Sequence, residues 1–243
     1  MNVMSELTLI DLVKNGTMNA EIAATLASIT AQQHSFVVVA VPRFAGKSTV
    51  TDAMLHCVPT EVPVYRLSGE EAEMDRLKLT AGGGYLVVGE FSRGPVPGYI
   101  WGRPVRKVFE TMRTGYSLST ALHAPSLEEA YAAICGANGV PDKDASRLTY
   151  AVYIRRMGDD EASFWRRIDQ VHEVDGVADG KPQGRMLFRW RETNDSFEQI
   201  EEPRLLGVDE TLLHDRAYRI SELVASGRAS VEDIRSVLTA TKS

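Results

Sequence analysis

Cysteine is nearly missing: Cys57 and Cys135 are the only two in 243 residues. Two such distant residues give neither a disulfide framework nor a zinc-ligand spacing. Long hydrophobic runs are missing too. The longest, from Phe36 to Pro42, is far short of the ~20 residues a membrane-crossing helix requires. No basic residue precedes Lys14, so the start of the chain does not have the form of a secretory signal. Positive charge is in deficit, with 27 Lys and Arg against 33 Asp and Glu, a net −6 and a pI near 5.5. That balance argues against nucleic acid or an anionic membrane as the general partner. What remains is ordinary globular material, 44% hydrophobic and 25% charged, which excludes a disordered chain. A cytoplasmic protein with a sizeable core is expected, longer than one average domain and shorter than two.

Residues 7–15 have a helical pattern that Gly16 would stop in a left-handed conformation. Ile22, Leu26 and Ile29 then mark a second helix, with Asn19 as its cap. The period changes at Phe36-Val37-Val38-Val39-Ala40-Val41, an unbroken apolar run typical of a strand covered on both faces. Further strands are expected at 62–67, 85–89, 118–123 and 148–154, with helices at 105–112 and 127–133 between some of them. Alternation of this kind predicts an α/β fold with a mainly parallel sheet. Residues 167–174, 185–190 and 197–200, with a turn at Asn194-Asp195, read as antiparallel strands added at one edge. Residues 211–225 return to helix, and Ser230 with Asp233 has the spacing of a capping-box start to a last one. The expected organisation is a helical lead-in over 1–34, a core over 35–203 and a C-terminal helical appendage over 204–243.

Val41-Pro42-Arg43-Phe44-Ala45-Gly46-Lys47-Ser48 matches the phosphate-loop pattern G-x-x-x-x-G-K-[ST] except at its first position, where valine replaces glycine. A buried strand, an amide-lined loop and a helix N-terminus are what that chemistry needs. Gly46 would let the backbone approach a phosphate, Lys47 would reach the terminal phosphates and Ser48 would ligate Mg²⁺. Arg43, Phe44, Ala45 and Thr49 complete the expected binding segment. A valine forced into a glycine-only conformation costs about 1–3 kcal/mol, or about 5- to 150-fold in affinity. Binding weakened by Val41 rather than abolished is the expectation, and a chance Gly-Lys-Ser after a strand is the bland alternative.

Two more strand ends carry candidate chemistry. Tyr85-Leu86-Val87-Val88-Gly89 leads into Glu90, which could orient or deprotonate a water attacking a terminal phosphate. Taken alone, an acid in this position is more often a solvated loop residue. Residues 115–124 form a strand that would deliver Thr120 and His123 near its end, although a lone histidine is more often structural.

Taken together, Gly46-Lys47-Ser48-Thr49, Val87-Val88-Gly89-Glu90 and Ser119-Thr120-Ala121-Leu122-His123-Ala124 resemble the P-loop ATPases of type II and type IV secretion and type IV pilus motors. The helical lead-in and Phe164-Trp165-Arg166-Arg167-Ile168 are similar to that family as well, so that the likeness spans roughly residues 7 to 200. The resemblance implies a RecA-like core, ATP with Mg²⁺, a ring of six subunits and a platform protein at the inner membrane. By the same resemblance, Glu90 is the catalytic acid and His123 the histidine-box residue. The family's acidic box has its nearest counterpart at Glu70 and Glu71, in a stretch that reads equally well as a solvated acidic turn. Arg76 and Lys78 are the basic residues available to reach phosphate across a subunit boundary.

Residues 92–113 hold Arg93, Arg103, Arg106, Lys107 and Arg113 among Tyr99, Trp101 and Phe109. They could form a stacking patch for nucleic acid, a solvated helix face, or a contact that presents an arginine to a neighbouring subunit. His34, His56, His172 and His214 have no partner at ligand spacing.

Overall fold

A computed structural model describes residues 6–41, 45–158 and 164–239. Local signals place the first elements. Helix α1 (Leu9–Lys14) opens on a capping box between Thr8 and Asp11, and the left-handed Gly16 (φ 77°) turns the chain. Helix α2 (Ala20–Ala31) is capped by Asn19, whose side chain accepts from the Ile22 amide.

Strand β1 (Phe36–Ala40) is buried over its whole length, as its unbroken apolar run requires. Helix α3 (Lys47–Leu55) follows, then β2 (Val64–Arg66), α4 (Glu71–Thr80), β3 (Gly84–Val87), β4 (Glu90–Phe91), β5 (Tyr99–Ile100), α5 (Arg103–Met112) and β6 (Tyr116–His123). The chain continues through α6 (Leu127–Tyr131), a π-helical segment (Ala132–Ala137), α7 (Asp142–Ala145), β7 (Tyr150–Met157), β8 (Trp165–Ala178), β9 (Lys181–Arg191) and β10 (Ser196–Gln199). It closes with α8 (Glu210–Ala225) and α9 (Val231–Thr239).

Eight strands form one sheet in the order β10-β9-β8-β7-β1-β6-β3-β2. Strands β2, β3, β6, β1 and β7 run parallel, and β8, β9 and β10 add antiparallel pairs at one edge. The fold is thus the α/β class expected, with a mainly parallel sheet. Side chains of β1 alternate between two cores. Phe36, Val38 and Ala40 pack with α1, α2, α3, α8 and α9, while Val37 and Val39 pack with α5 and the π-helical segment. The C-terminal helices share a core with the N-terminal ones: α8 lies against α2 and α1.

Several expectations need correction. The third strand ends at Val87 rather than at residue 89, and Glu90 begins the separate two-stranded β4–β5 ladder. Glu70, exposed, and Glu71, half-buried, stand at the N-cap and first position of α4, where acids complement the helix dipole. The helix expected over 127–133 ends at Tyr131 and widens into the π-helical segment.

One buried charge organises the antiparallel edge. Glu173 on β8 is fully buried. Its carboxylate accepts from the Tyr150 hydroxyl at 2.8 Å, from the Arg204 amide at 2.9 Å and from the Leu205 amide at 2.9 Å. Arg185 pairs with it as well. The link between β10 and α8 is therefore pinned to the sheet by a saturated carboxylate.

Candidate functional site

Parallel pairing brings the candidate residues together. In the β1–β6 register Ala40 stands opposite His123, so the end of β1 and the histidine lie at one edge of the sheet. Ligands in open α/β sheets sit in the crevice beyond these strand ends. Gly46 caps α3 in a left-handed conformation (φ 97°) with no side-chain cap bond, which leaves the first amides of a nine-residue helix open to an anion. A different close approach shapes the acid's loop. A Cβ on Gly89 would come within 3.1 Å of the Gly98 carbonyl oxygen, so glycine lets the two short strands meet beside Glu90.

Three side chains converge there. The Lys47 ammonium donates to His123 Nε2 at 2.7 Å and to Glu90 Oε2 at 3.1 Å, and His123 Nε2 lies 3.5 Å from the same carboxylate oxygen. His123 Nδ1 is 3.1 Å from the carbonyl oxygens of Ala40 and Val41. Carbonyls only accept, so this network assigns the ring proton to Nδ1 and leaves Nε2 to accept from Lys47. Lys47 and Glu90 are both buried. Burial pushes the Lys47 ammonium below the ordinary lysine range, and the Glu90 carboxylate opposes that shift through its charge and its hydrogen bond.

The three groups line a cavity of about 540 Å³ together with Ala45, Gly46, Ser48, Arg93 and Tyr99, a size suited to a small ligand. Thr49 follows on α3, half-buried, and Ser48 is exposed in the first turn. Among the described residues no group of three or more His, Cys, Asp or Glu side chains could hold a metal alone. Mg²⁺ fits nonetheless, because one hydroxyl, phosphate oxygens and water suffice to hold it. Arg43 and Phe44 lie outside the described residues. Val41, at the position of the missing glycine, is 62% exposed.

Thr120 does not reach the site. It is fully buried, and three residues from His123 along a strand places it on the opposite face. The basic segment is largely satisfied within the molecule. Arg93 lies over the Trp101 ring at 5.4 Å, Arg103 pairs with Glu71 and Lys107 with Asp75. Arg106 donates to the Asn138 carbonyl and Arg113 grips Asp144 with two bonds. Sequence reasoning quoted Arg166 only within a family-like basic stretch and passed over Arg156; the β7–β8 pairing sets the two opposite each other, with Arg166 against Gly46. Two Arg-Arg pairs, 155–156 and 166–167, were the available signal.

No protein-family model and no curated protein sequence matches the chain. Solved structures do. The ATPase DotB of Yersinia pseudotuberculosis aligns over 58% of this chain and 44% of its own, at 10% identity and a TM-score of 0.44. The VirB11 ATPase of the Brucella suis type IV secretion system, in complex with sulphate, aligns over 68% and 54%, at 14% identity and 0.45. DotB of Legionella pneumophila aligns over 83% and 55%, at 12% identity and 0.43. The match thus spans about half the length of each of those chains. Among the described residues no helix is long and apolar enough to cross a membrane. The chain is thus similar, over part of its length and at 10–14% identity, to these solved ATPase structures.

Proposed function

We propose that the chain is an ATP-binding P-loop ATPase of the secretion or pilus-motor type, which couples nucleotide binding and hydrolysis to conformational work. One observation carries this reading: Lys47, Glu90 and His123, from three separate segments, meet within 3.5 Å beside an uncapped helix N-terminus. Without a ligand, Lys47 is held by Glu90 and His123. A terminal phosphate competes for that ammonium, and the transfer of Lys47 to it would free the carboxylate and imidazole. Glu90 is then placed to orient the attacking water and accept its proton. His123, its Nδ1–H donating to backbone carbonyls, keeps an Nε2 that can accept from Lys47 or from the attacking water. When bound at the Ser48 hydroxyl, Mg²⁺ supplies charge neutralisation on the phosphate oxygens. In this proposal the chain works as a homo-oligomer, a ring of six by family resemblance, docked on an inner-membrane platform protein.

Titration with a fluorescent ATP analogue in the presence of Mg²⁺, followed by a phosphate-release assay, tests the proposal. Wild type is expected to bind and turn over, Lys47→Ala to lose binding, and Glu90→Gln to bind without turnover. Equal affinity in wild type and Lys47→Ala would refute it. A non-hydrolysing assembly or regulatory subunit is the second reading, favoured by the exposed Val41 at the first position of the loop. Binding with no phosphate release above the Glu90→Gln background would select it.

A further inference from the structure

A terminal phosphate held at Lys47 would sit among groups that are mostly electron-rich. Glu90 is a carboxylate, and His123 Nε2 accepts rather than donates in the network described above. Negative charge brought beside a buried carboxylate is costly unless a further cation joins it. Besides Lys47 and the imidazole, the described side chains lining the cavity of about 540 Å³ include one cation, Arg93.

Arg93 stands three residues after Glu90, in the segment that joins β4 to β5. Both feet of that segment are fixed. The Ser92 amide donates to the Glu90 and Ile100 carbonyls, each at 3.0 Å, and the Gly98 amide donates to the Ser68 carbonyl at 3.0 Å. Between these feet, residues 93–97 are exposed, and Arg93, Gly94, Pro95 and Val96 form one wall of the cavity. The same short ladder that places Glu90 therefore keeps Arg93 at the mouth of the phosphate loop.

The other cations of this stretch are committed to oxygen. Arg103, Lys107 and Arg113 each pair with an acid, and Arg106 donates to the Asn138 carbonyl. Arg93 instead rests over the Trp101 ring, 5.4 Å from its centroid, and among the described residues it pairs with no acid. Trp101 is held where the chain enters α5, between the buried Ile100 and Gly102, whose amide donates to Asn138 at 2.6 Å. An exposed cation–π contact is weaker than charge-assisted bonds from a guanidinium to a phosphate. Arg93 thus has a resting place that it can leave when an anion enters.

We propose that Arg93 binds the terminal phosphate of a nucleoside triphosphate, moving off the Trp101 ring to do so, and so sets a preference for triphosphate over diphosphate. This rests on the nucleotide-binding reading above and adds to it a contact made within one chain. Arginine suits the role because its fork engages two phosphate oxygens at once. A nucleoside diphosphate lacks the group that draws the guanidinium away, so Arg93 stays on the ring.

The experiment measures Mg-ATP and Mg-ADP affinity by calorimetry for wild type, Arg93→Gln and Arg93→Lys, with thermal melting as the control for folding. Arg93→Gln is expected to bind Mg-ATP about 10- to 100-fold more weakly, the effect of losing a charged hydrogen bond, and Mg-ADP with nearly unchanged affinity. Arg93→Lys should recover part of the loss, because a point charge replaces the fork. Saturating Mg-ATP should also change the tryptophan emission of wild type, and Trp101→Phe should abolish that change while Mg-ATP still binds. An unaltered ratio of ATP to ADP affinity in folded Arg93→Gln overturns this assignment and leaves the ATPase reading standing. Wild-type emission unmoved by saturating Mg-ATP overturns the movement off the ring. Failure of wild type to bind either nucleotide overturns both readings.

Discussion

Glu90 and Glu173 are both buried carboxylates paired with a cation, but their surroundings differ. Glu173 receives a tyrosine hydroxyl, two backbone amides and an arginine. The two amides are fixed by the backbone and the hydroxyl by a fully buried tyrosine ring. Glu90 meets Lys47 as an ion pair and His123 as a close neighbour, both through one oxygen, Oε2, at the wall of a cavity. Those partners have somewhere else to go when an anion enters. A saturated buried charge fixes the fold, while one with exchangeable partners is suited to chemistry. Burial alone does not separate the two; the mobility of the partners does.

The contrast can be broken most directly by mutation. Glu173→Ala leaves the buried Tyr150 hydroxyl and two amides without their acceptor, while Arg185 keeps Asp175, and should lower stability by about 3–5 kcal/mol in urea unfolding. A loss below ~1 kcal/mol would remove the distinction between the two carboxylates. Acid tests the same strand next. His172, on β8 beside Glu173, is held by burial at a pKa of about 4, against an ordinary 6.5. The unfolded chain takes up this proton below pH 6.5 and the folded chain does not until about pH 4. Stability contributed by the neutral ring is therefore complete above pH 6.5 and falls by about 3 kcal/mol as the pH drops to 4. His172→Gln should flatten that part of the stability curve. Tyr150→Phe removes one of the four donors to Glu173, for an expected loss of about 1–2 kcal/mol in the same urea assay. The smallest effect belongs to Glu90→Gln, at about 1 kcal/mol or less, because the Lys47 stem can carry its ammonium into the cavity. A loss as large as that of Glu173→Ala would show that Glu90 holds the fold as well.

Much of the scaffold was legible because its signals are local. Asn19 capping α2 and the apolar run of β1 each report their own surroundings. The convergence of Lys47, Glu90 and His123 was legible as three strand-end motifs, since parallel strands put such ends on one edge. Thr120 was misassigned because spacing along a strand decides the face, and three positions from His123 is an odd step. The β4–β5 ladder was hidden by its two-residue strands, which have no periodicity to detect. Arg156 and Arg166 could not be joined from sequence, because their contact depends on the register of β7 against β8, and that pairing shifts between Tyr153 and Ile154.

The pairing of Ala40 with His123 has a consequence for how such a chain tolerates length changes. Deleting one residue anywhere in β6 ahead of His123 would turn the imidazole to the other side of the sheet, away from Lys47. An insertion in the turn between α5 and β6 leaves the ladder untouched and would be absorbed at the surface. Insertions and deletions drifting through related chains should therefore collect in the connectors, and strand lengths should stay fixed wherever the lysine and histidine still meet.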